Sequence, residues 1–243
     1  MLKISDLDVS YGRFQALENI SLNIESEEAF GLIGLNGAGK TTLIKTILGL
    51  RNPLKGNISF FNTDDSELSR SDVKKHIAYL PERFEPPIFL SGREFIRFSV
   101  SLYQKKITDE EINKQTESLE LDPDVLKRSV NTYSKGMRQK LGLIATILTG
   151  CQFLILDEPM SGLDPKARVC VKDNIMNLKN HGRTVFLSSH ILSDMNEICD
   201  NVAILHDKTI QFYGAPSDLM QKYNMSSLER AFLETIKNQK EAA

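Results

Sequence analysis

The sequence contains no tryptophan, only three cysteines, and no apolar run of the length that crosses a membrane. A membrane-spanning helix needs about 18 or more consecutive apolar residues, so we predict no membrane span. Cys151, Cys170 and Cys199 are odd in number and far apart, which favours reduced thiols in a cytosolic protein over a disulfide framework or a metal site. The first six residues lead directly into a polar alternating pattern, so we expect no secretion signal.

The sequence also lacks an excess of either charge. Its 30 basic and 32 acidic residues give a formal net charge of −2. Because nucleic-acid-binding proteins usually carry a basic surface, this balance argues against a nucleic-acid partner. The composition, 41% hydrophobic and 26% charged, is typical of an ordinary soluble globular protein, and 243 residues suffice for one large domain or two small ones.

One stretch matches G-x-x-x-x-G-K-[ST], the phosphate-binding loop of many nucleotide-binding proteins. It consists of Gly34, Leu35, Asn36, Gly37, Ala38, Gly39, Lys40, Thr41 and Thr42. A strand pattern at 29–33 precedes it and a helical apolar pattern at 43–48 follows, which is the context that the motif requires. Glycines let successive N–H groups point at phosphate oxygens, Lys40 supplies charge for the β- and γ-phosphates, and the Thr41 hydroxyl can ligate Mg²⁺. The alternative is a chance glycine turn before a helix; we favour nucleotide binding.

Two carboxylates follow a second apolar strand pattern, Phe153–Leu156. Ligands bind at the carboxyl ends of strands in open parallel sheets, so Asp157 and Glu158 are expected to face the nucleotide. Asp157 would hold Mg²⁺, and Glu158 would act as the general base toward the attacking water. The alternative is that either carboxylate only caps the following turn.

The other patterns predict alternating α- and β-elements around a helical insert. Period-two alternation near the amino terminus predicts a small antiparallel sheet, and residues 202–213 predict a hairpin. Residues 91–150 read as helical, and capping-box patterns at Ser91–Glu94 and Thr108–Glu111 mark two helix starts. Another helix should begin after Ser134.

The first insert helix should place Phe95, Phe98 and Leu102 on one apolar face. A capping box at Ser226–Glu229 is predicted to open a short final helix. We therefore expect one domain over 1–223, with a helical subdomain at about 91–150, and a short helical tail over 224–243.

Four further motifs follow the phosphate loop in order. They are Tyr133-Ser134-Lys135-Gly136-Met137, Leu156-Asp157-Glu158-Pro159, Ser161-Gly162-Leu163-Asp164 and His190. Ser134 lies 23 residues before Asp157, and His190 lies 33 residues after it. In order and spacing, the sequence resembles the ATP-binding cassette (ABC) family from Tyr11 to about Gly214. The resemblance implies an α/β fold: a P-loop NTPase of ABC type, with a mixed central sheet, an antiparallel β subdomain and a helical subdomain.

The resemblance also implies a nucleotide site shared between two cassettes. Tyr11 matches the aromatic residue that stacks on adenine, and Ser134 and Gly136 belong to the signature that contacts the γ-phosphate bound by the other cassette. His190 matches the switch histidine that hydrogen-bonds the γ-phosphate and the catalytic Glu158, with Lys40 as a further catalytic residue. From the residues alone, Tyr11 could instead be a core tyrosine, Ser134 a simple helix cap, and His190 incidental.

The sequence departs from the family pattern at three positions. The usual signature is L-S-G-G-Q, whereas this chain has Lys135 in place of the first glycine and Met137 in place of the glutamine. The usual glutamine after the strand at 77–80 is Glu82, which can still ligate Mg²⁺. The Lys135 and Glu82 variants are similar to a subset of cassettes that power bacterial exporters of drugs, lipids or peptides.

The resemblance implies an ATP- and Mg²⁺-dependent ATPase that drives a membrane transporter, with export as the expected direction. Expected partners are a second cassette, in a homo- or heterodimer, and an integral membrane permease that holds the chain at the cytoplasmic face of the membrane. The apolar segment 84–89 is expected either to meet that permease or to pack into the insert. Alternative functions are a soluble ATPase acting on ribosomes or DNA, and an ATP-dependent regulator with low turnover.

Overall fold

The chain forms two β-sheets in the computed structural model, which describes residues 1–62 and 66–240. The strands of the described residues are β1 (Leu2–Tyr11), β2 (Phe14–Ile24), β3 (Ala29–Ile33), β4 (Lys55–Phe60), β5 (Ile77–Leu80), β6 (Phe153–Asp157), β7 (Thr184–Ser189), β8 (Asn201–His206) and β9 (Thr209–Gly214). The helices are α1 (Lys40–Ile47), α2 (Arg70–His76), α3 (Gly92–Ser101), α4 (Asp109–Ser118), α5 (Lys135–Leu148), α6 (Pro165–Asn180), α7 (Leu192–Ile198), α8 (Pro216–Lys222) and α9 (Leu228–Lys240). No helix within the described ranges is long and apolar enough to cross a membrane.

The larger sheet has the strand order β5-β6-β7-β3-β8-β9, with β9 antiparallel to β8 and the other pairs parallel. Strands β3, β6 and β7 are buried along their whole length, as expected for parallel strands covered on both faces. Their register aligns Asp157 with Ser188 and Ile33 with Ser189. The loops that leave these three strands therefore begin at one edge of the sheet.

Each face of the larger sheet has its own hydrophobic core. On one face, α1 and the antiparallel sheet, in the order β2-β1-β4, bury residues such as Leu2, Leu17 and Phe30. On the other face, the helices from α3 onward bury residues such as Leu141 and Ile175. Both predicted sheets and the 202–213 hairpin are confirmed.

The helical insert starts its helices where the sequence predicts. The Ser91 and Thr108 side chains each accept a hydrogen bond from the backbone N–H three residues later. The Glu94 and Glu111 carboxylates in turn accept a hydrogen bond from the backbone N–H of the cap residue. The predicted apolar face of α3 is wrong, because Phe98 and Leu102 are exposed while Phe95, Ile96 and Val100 are buried. Helix α3 packs against α5, and that contact selects a face rotated from the one predicted.

The carboxyl-terminal helix begins differently from the prediction. The Ser227 hydroxyl accepts a hydrogen bond from the Arg230 N–H at 3.4 Å, so the third helical residue is an arginine that cannot complete a capping box. Helix α9 buries Leu228, Ala231 and Phe232 in the same core as α7. Residues 241–243 of the predicted tail lie outside the described residues.

Candidate active site

The phosphate loop connects the buried strand β3 to helix α1. Gly37 and Gly39 have φ angles of 82° and 109°, which side-chain-bearing residues rarely adopt. A Cβ atom on Gly39 would lie 2.8 Å from Leu17 Cδ2, and one on Gly34 would lie 2.7 Å from the Leu205 carbonyl oxygen. Helix α1 has no side-chain cap and no acidic residue in its first turn. Its amino terminus is therefore suited to receive an anion.

Lys40 is buried at the start of α1, between the loop and the carboxylate that follows β6. Its ammonium Nζ donates a hydrogen bond to the Gly34 carbonyl oxygen at 2.7 Å. The same nitrogen lies 3.7 Å from Glu158 Oε1. Lys40 thus links the phosphate loop to the predicted general base.

Asp157 is the last residue of β6 and is almost completely buried. Its carboxylate accepts a hydrogen bond from the Ser188 hydroxyl and lies 3.4 Å from Thr41 Oγ1. Burial raises the pKa of Asp157, and the nearby carboxylates of Glu82 and Glu158 raise it further, against the opposing effects of Ser188 and Lys40. A divalent cation at this carboxylate would favour its ionised form.

Glu158 has a φ angle of 50°, an unusual conformation for a residue with a side chain. Its N–H donates to the Ser188 carbonyl at 3.2 Å, which fixes this reversal of the chain just after β6. The carboxylate is buried, and its Oε2 lies 2.8 Å from His190 Nδ1. Strain of this kind at a polar cleft is typical of functional sites.

His190 follows β7 and is the more exposed member of the pair, since its side chain keeps about half of its surface accessible. When Nδ1 carries the proton, the ring donates to the Glu158 carboxylate and leaves Nε2 free for another contact. The predicted contact between the histidine and Glu158 is present in the structure.

A cleft of about 390 Å³ brings most of the predicted residues together. Its lining comprises Leu35, Asn36, Gly37, Gly39, Lys40, Thr41, Thr42, Glu82, Asp157, Glu158 and His190. Gly34 and Ala38 contribute to the loop behind this lining. Tyr11, Ser134 and Gly136 do not line the cleft.

Tyr11 ends β1 beside the phosphate loop rather than in the core. Tyr11 is 43% exposed, so the alternative of a buried core tyrosine is wrong. Its hydroxyl lies 3.5 Å from Thr42 Oγ1. The ring therefore stands at the edge of the loop.

Ser134 is the amino-terminal cap of α5, with its hydroxyl accepting from the Met137 N–H at 3.2 Å. Ser134 and Lys135 are exposed. The Lys135 stem lies across Gly162, where an added Cβ would be 3.1 Å from Lys135 Cε. The signature motif and the 161–164 loop therefore contact each other, at a surface outside the cleft.

Two buried residues support the site without belonging to any predicted motif. The Ser188 hydroxyl holds Asp157, and the Gln139 amide donates to the Pro159 carbonyl at 3.2 Å. The only sequence signal for Ser188 is its place at the end of a strand pattern. Gln139, one turn into α5, carries no such signal.

The donor set fits Mg²⁺ only together with phosphate oxygens. No cluster of three or more histidine, cysteine, aspartate or glutamate side chains in the described part of the chain could hold a metal by itself. Thr41, Asp157 and Glu82 nevertheless supply hard oxygen ligands in the cleft beside Lys40. Mg²⁺ in nucleotide sites is held in this way, by one or two carboxylates plus the phosphates.

We expect Asp157→Asn to stabilise the nucleotide-free protein at neutral pH. A carboxyl whose pKa is raised in the folded state stabilises that state at pH values below its ordinary pKa. This stabilisation is lost as the pH rises through the folded-state pKa. Removing the buried charge should therefore raise the melting temperature, and a gain of about 1 kcal/mol would appear as a rise of about 2–4 °C in a domain of this size. The gain should shrink as the pH falls into the acidic range. Thermal unfolding with an added dye would measure it.

Asp164→Asn is the matched control for that substitution. The Asp164 carboxylate caps α6, and its hydrogen bond from the Ala167 N–H lowers the pKa of this group. Its replacement should not stabilise the protein. A melting temperature for Asp157→Asn at or below that of the unaltered protein would contradict the raised pKa.

Comparison with known proteins agrees with this arrangement. The family model described as ABC transporter matches residues 17–161. An ABC transporter ATP-binding protein of Nostoc sp., all4389, is 34% identical over 86% of this chain and 62% of its own length. The lantibiotic transport ATP-binding protein SrtF of Streptococcus pyogenes is 33% identical over 92% of this chain and 96% of its own.

A solved structure of the ATP-binding subunit of an ABC transporter superposes with a TM-score of 0.83 at 29% identity, covering 97% of this chain and 99% of that one. The predicted fold class is confirmed. The chain spans less than two thirds of the length of the Nostoc relative, and nearly all of SrtF. This chain belongs to the ABC transporter family, as an ATP-binding cassette of the ABC ATPase type.

Proposed function

We propose that this chain is the ATP-hydrolysing subunit of a membrane transporter and that Glu158 is its general base. The observation that carries the proposal is the position of the Glu158 carboxylate, 3.7 Å from Lys40 Nζ and 2.8 Å from His190 Nδ1 at the edge of the cleft. A buried carboxylate held between these two groups can accept a proton from a water on the γ-phosphate side. Substitution of Glu158 by glutamine tests the assignment through the rate of ATP hydrolysis.

The residues of the cleft have separate tasks in this scheme. The loop N–H groups and the α1 amino terminus receive the phosphates of ATP, and Lys40 exchanges the Gly34 carbonyl for the β- and γ-phosphate oxygens. That exchange frees the Glu158 carboxylate to orient water, while His190 holds it in place. Thr41, Asp157 and Glu82 would hold Mg²⁺, which neutralises charge on the phosphates.

We propose that the site is completed by a second cassette in a head-to-tail dimer. Ser134 and Gly136 lie outside the cleft of their own chain, on an exposed helix start. The Ser134 hydroxyl caps the Met137 N–H, and the N–H groups of Lys135 and Gly136 have no partner within the helix. They would meet the γ-phosphate bound by the partner.

We propose that the permease docks on the segment 84–89, which precedes the helical insert. Phe84 packs against Phe95, with ring centroids 5.4 Å apart, so that part of the 84–89 segment joins the insert core. Ile88 and Phe89 are instead 60% and 81% exposed. Apolar side chains that remain on a surface together favour a protein partner. Docking there would place the chain at the cytoplasmic face of the membrane.

We expect the double substitution Ile88→Ser and Phe89→Ser to separate hydrolysis from membrane attachment. Both side chains are exposed, so the ATPase rate of the isolated protein should change less than about twofold. Recovery of the tagged protein in the membrane fraction should fall at least about fivefold, because the docking contact is lost. Leu50→Ser is the matched control, since Leu50 is 70% exposed and lies outside the 84–89 segment.

Equal membrane recovery of both variants would contradict docking through this surface. Recovery of the unaltered protein only with ribosomes or DNA would favour the soluble alternatives over a transporter.

For the transport direction we propose export of a peptide or an amphipathic compound. The proposal rests on the Lys135 and Glu82 variants and on the similarity to SrtF, which is named for lantibiotic transport.

A further inference from the structure

A guanidinium group lies on the ring of Tyr11. The Arg51 guanidinium carbon is 4.1 Å from the ring centroid, well within the range of a cation–π contact. Arg51 follows α1, 40 residues after Tyr11 in the chain, and its Nη2 donates to the Ser10 carbonyl. Its Nε is buried and finds no hydrogen-bond partner among the residues that the structure describes. The guanidinium is therefore held by the Tyr11 ring and the adjacent backbone.

Tyr11 remains accessible beside Arg51. The residue is 43% exposed although Arg51 lies on its ring, and its hydroxyl lies 3.5 Å from Thr42 Oγ1 at the start of α1. Tyr11 is the last residue of β1, next to the turn at Gly12, so the strand alone restrains the side chain weakly. Arg51 contacts the ring, and Thr42 lies next to the hydroxyl.

We infer that Arg51 is a positioning residue for the nucleobase: it holds the Tyr11 ring as a preformed stacking platform. The inference rests on the proposed role of Tyr11 in binding adenine. An exposed tyrosine loses rotamer freedom when a base stacks on it, and a ring that is already fixed loses less. The planar guanidinium suits this task because it stacks on an aromatic face, which an ammonium does less well.

The test compares binding of ADP with binding of inorganic pyrophosphate, by calorimetry, in the full chain. ADP carries the base, pyrophosphate does not, and neither requires hydrolysis. Arg51→Ala should weaken ADP binding about three- to fivefold and leave pyrophosphate binding unchanged. Arg51→Lys should recover part of the loss. Arg13→Ala removes an exposed arginine from the turn that follows Tyr11, and it should change the affinity for neither ADP nor pyrophosphate.

Loss of affinity for both ligands alike would overturn the inference, because Arg51 would then act through its charge on the phosphates. An unchanged affinity for ADP would overturn it too. Melting curves of each variant, recorded first, establish that the variant is folded.

Tyr11→Ala distinguishes this inference from the proposed function on which it rests. Loss of base stacking should weaken ADP binding about tenfold or more. If Tyr11→Ala changes nothing, the assignment of Tyr11 to adenine fails. If Tyr11→Ala weakens ADP binding and Arg51→Ala does not, only the Arg51 inference fails. When Arg51→Ala is added to Tyr11→Ala, ADP affinity should fall no further. A further fall as large as that caused by Arg51→Ala alone would overturn the inference.

Discussion

Glu158→Gln should bind ATP and fail to hydrolyse it. The amide keeps the shape of the carboxylate and can still accept a hydrogen bond from His190, but it cannot take a proton from water. General-base catalysis contributes about 10²- to 10⁴-fold, so we expect the hydrolysis rate to fall at least about 100-fold. ATP affinity should be retained, because Lys40 then loses an ionic partner that competes with the phosphates.

The same variant should accumulate as an ATP-bound dimer, because the hydrolysis that lets the two cassettes separate is blocked. Phosphate release and light scattering after gel filtration measure the two effects. Glu110→Gln is the matched control, because this glutamate is exposed on α4, outside the cleft. Hydrolysis by Glu158→Gln at the rate of the unaltered protein would exclude Glu158 as the base.

Lys40→Ala should strongly reduce the affinity for ATP. A charge-assisted hydrogen bond to a buried phosphate is worth about 1.5–3 kcal/mol, so we expect affinity for ATP to fall about 10- to 150-fold. The change also leaves the buried Glu158 carboxylate without its lysine neighbour, 3.7 Å away in the intact protein. Lys40→Ala therefore removes a contact to the phosphates and also leaves a buried carboxylate of the same cleft without its cationic neighbour.

Thermal unfolding with and without ATP reads out both effects. The unaltered protein gains stability from a bound ligand, whereas Lys40→Ala should show almost no shift on adding ATP. Lys45→Ala is the control, since Lys45 is an exposed lysine in the last turn of the same helix. An ATP-induced shift of equal size in Lys40→Ala would contradict the role given to Lys40.

The grouping of Lys40, Asp157 and Glu158 in one cleft can be predicted from the sequence, because these residues follow strand patterns in fixed motifs. Lys40 follows β3 and Asp157 ends β6, and the alignment of parallel strands brings them to one edge. The contact of His190 with Glu158 follows from the same alignment and from the family resemblance.

What the sequence does not predict depends on contacts between distant segments. Ser188 reaches Asp157 through the register of two strands, and Arg51 reaches Tyr11 across the end of α1. Phe98 is exposed because α5 selects another face of α3. Helices α2 and α8, seven residues each, are not predicted from the sequence.

The most direct test of the shared site is a mixing experiment with two defective variants. A Cβ on Gly136 would lie 3.5 Å from Leu163 Cδ2, an ordinary contact, so Gly136→Asp should fold. Its carboxylate would repel the γ-phosphate of the partner. Glu158→Gln keeps the signature intact and loses the base.

Each variant alone should hydrolyse ATP at no more than a few per cent of the normal rate. A mixture of equal amounts should recover up to about a quarter of the normal rate, since random pairing makes half the dimers mixed and each mixed dimer holds one intact site. Hydrolysis by Gly136→Asp alone at the normal rate, or no recovery on mixing, would contradict a site completed by a second copy of this chain.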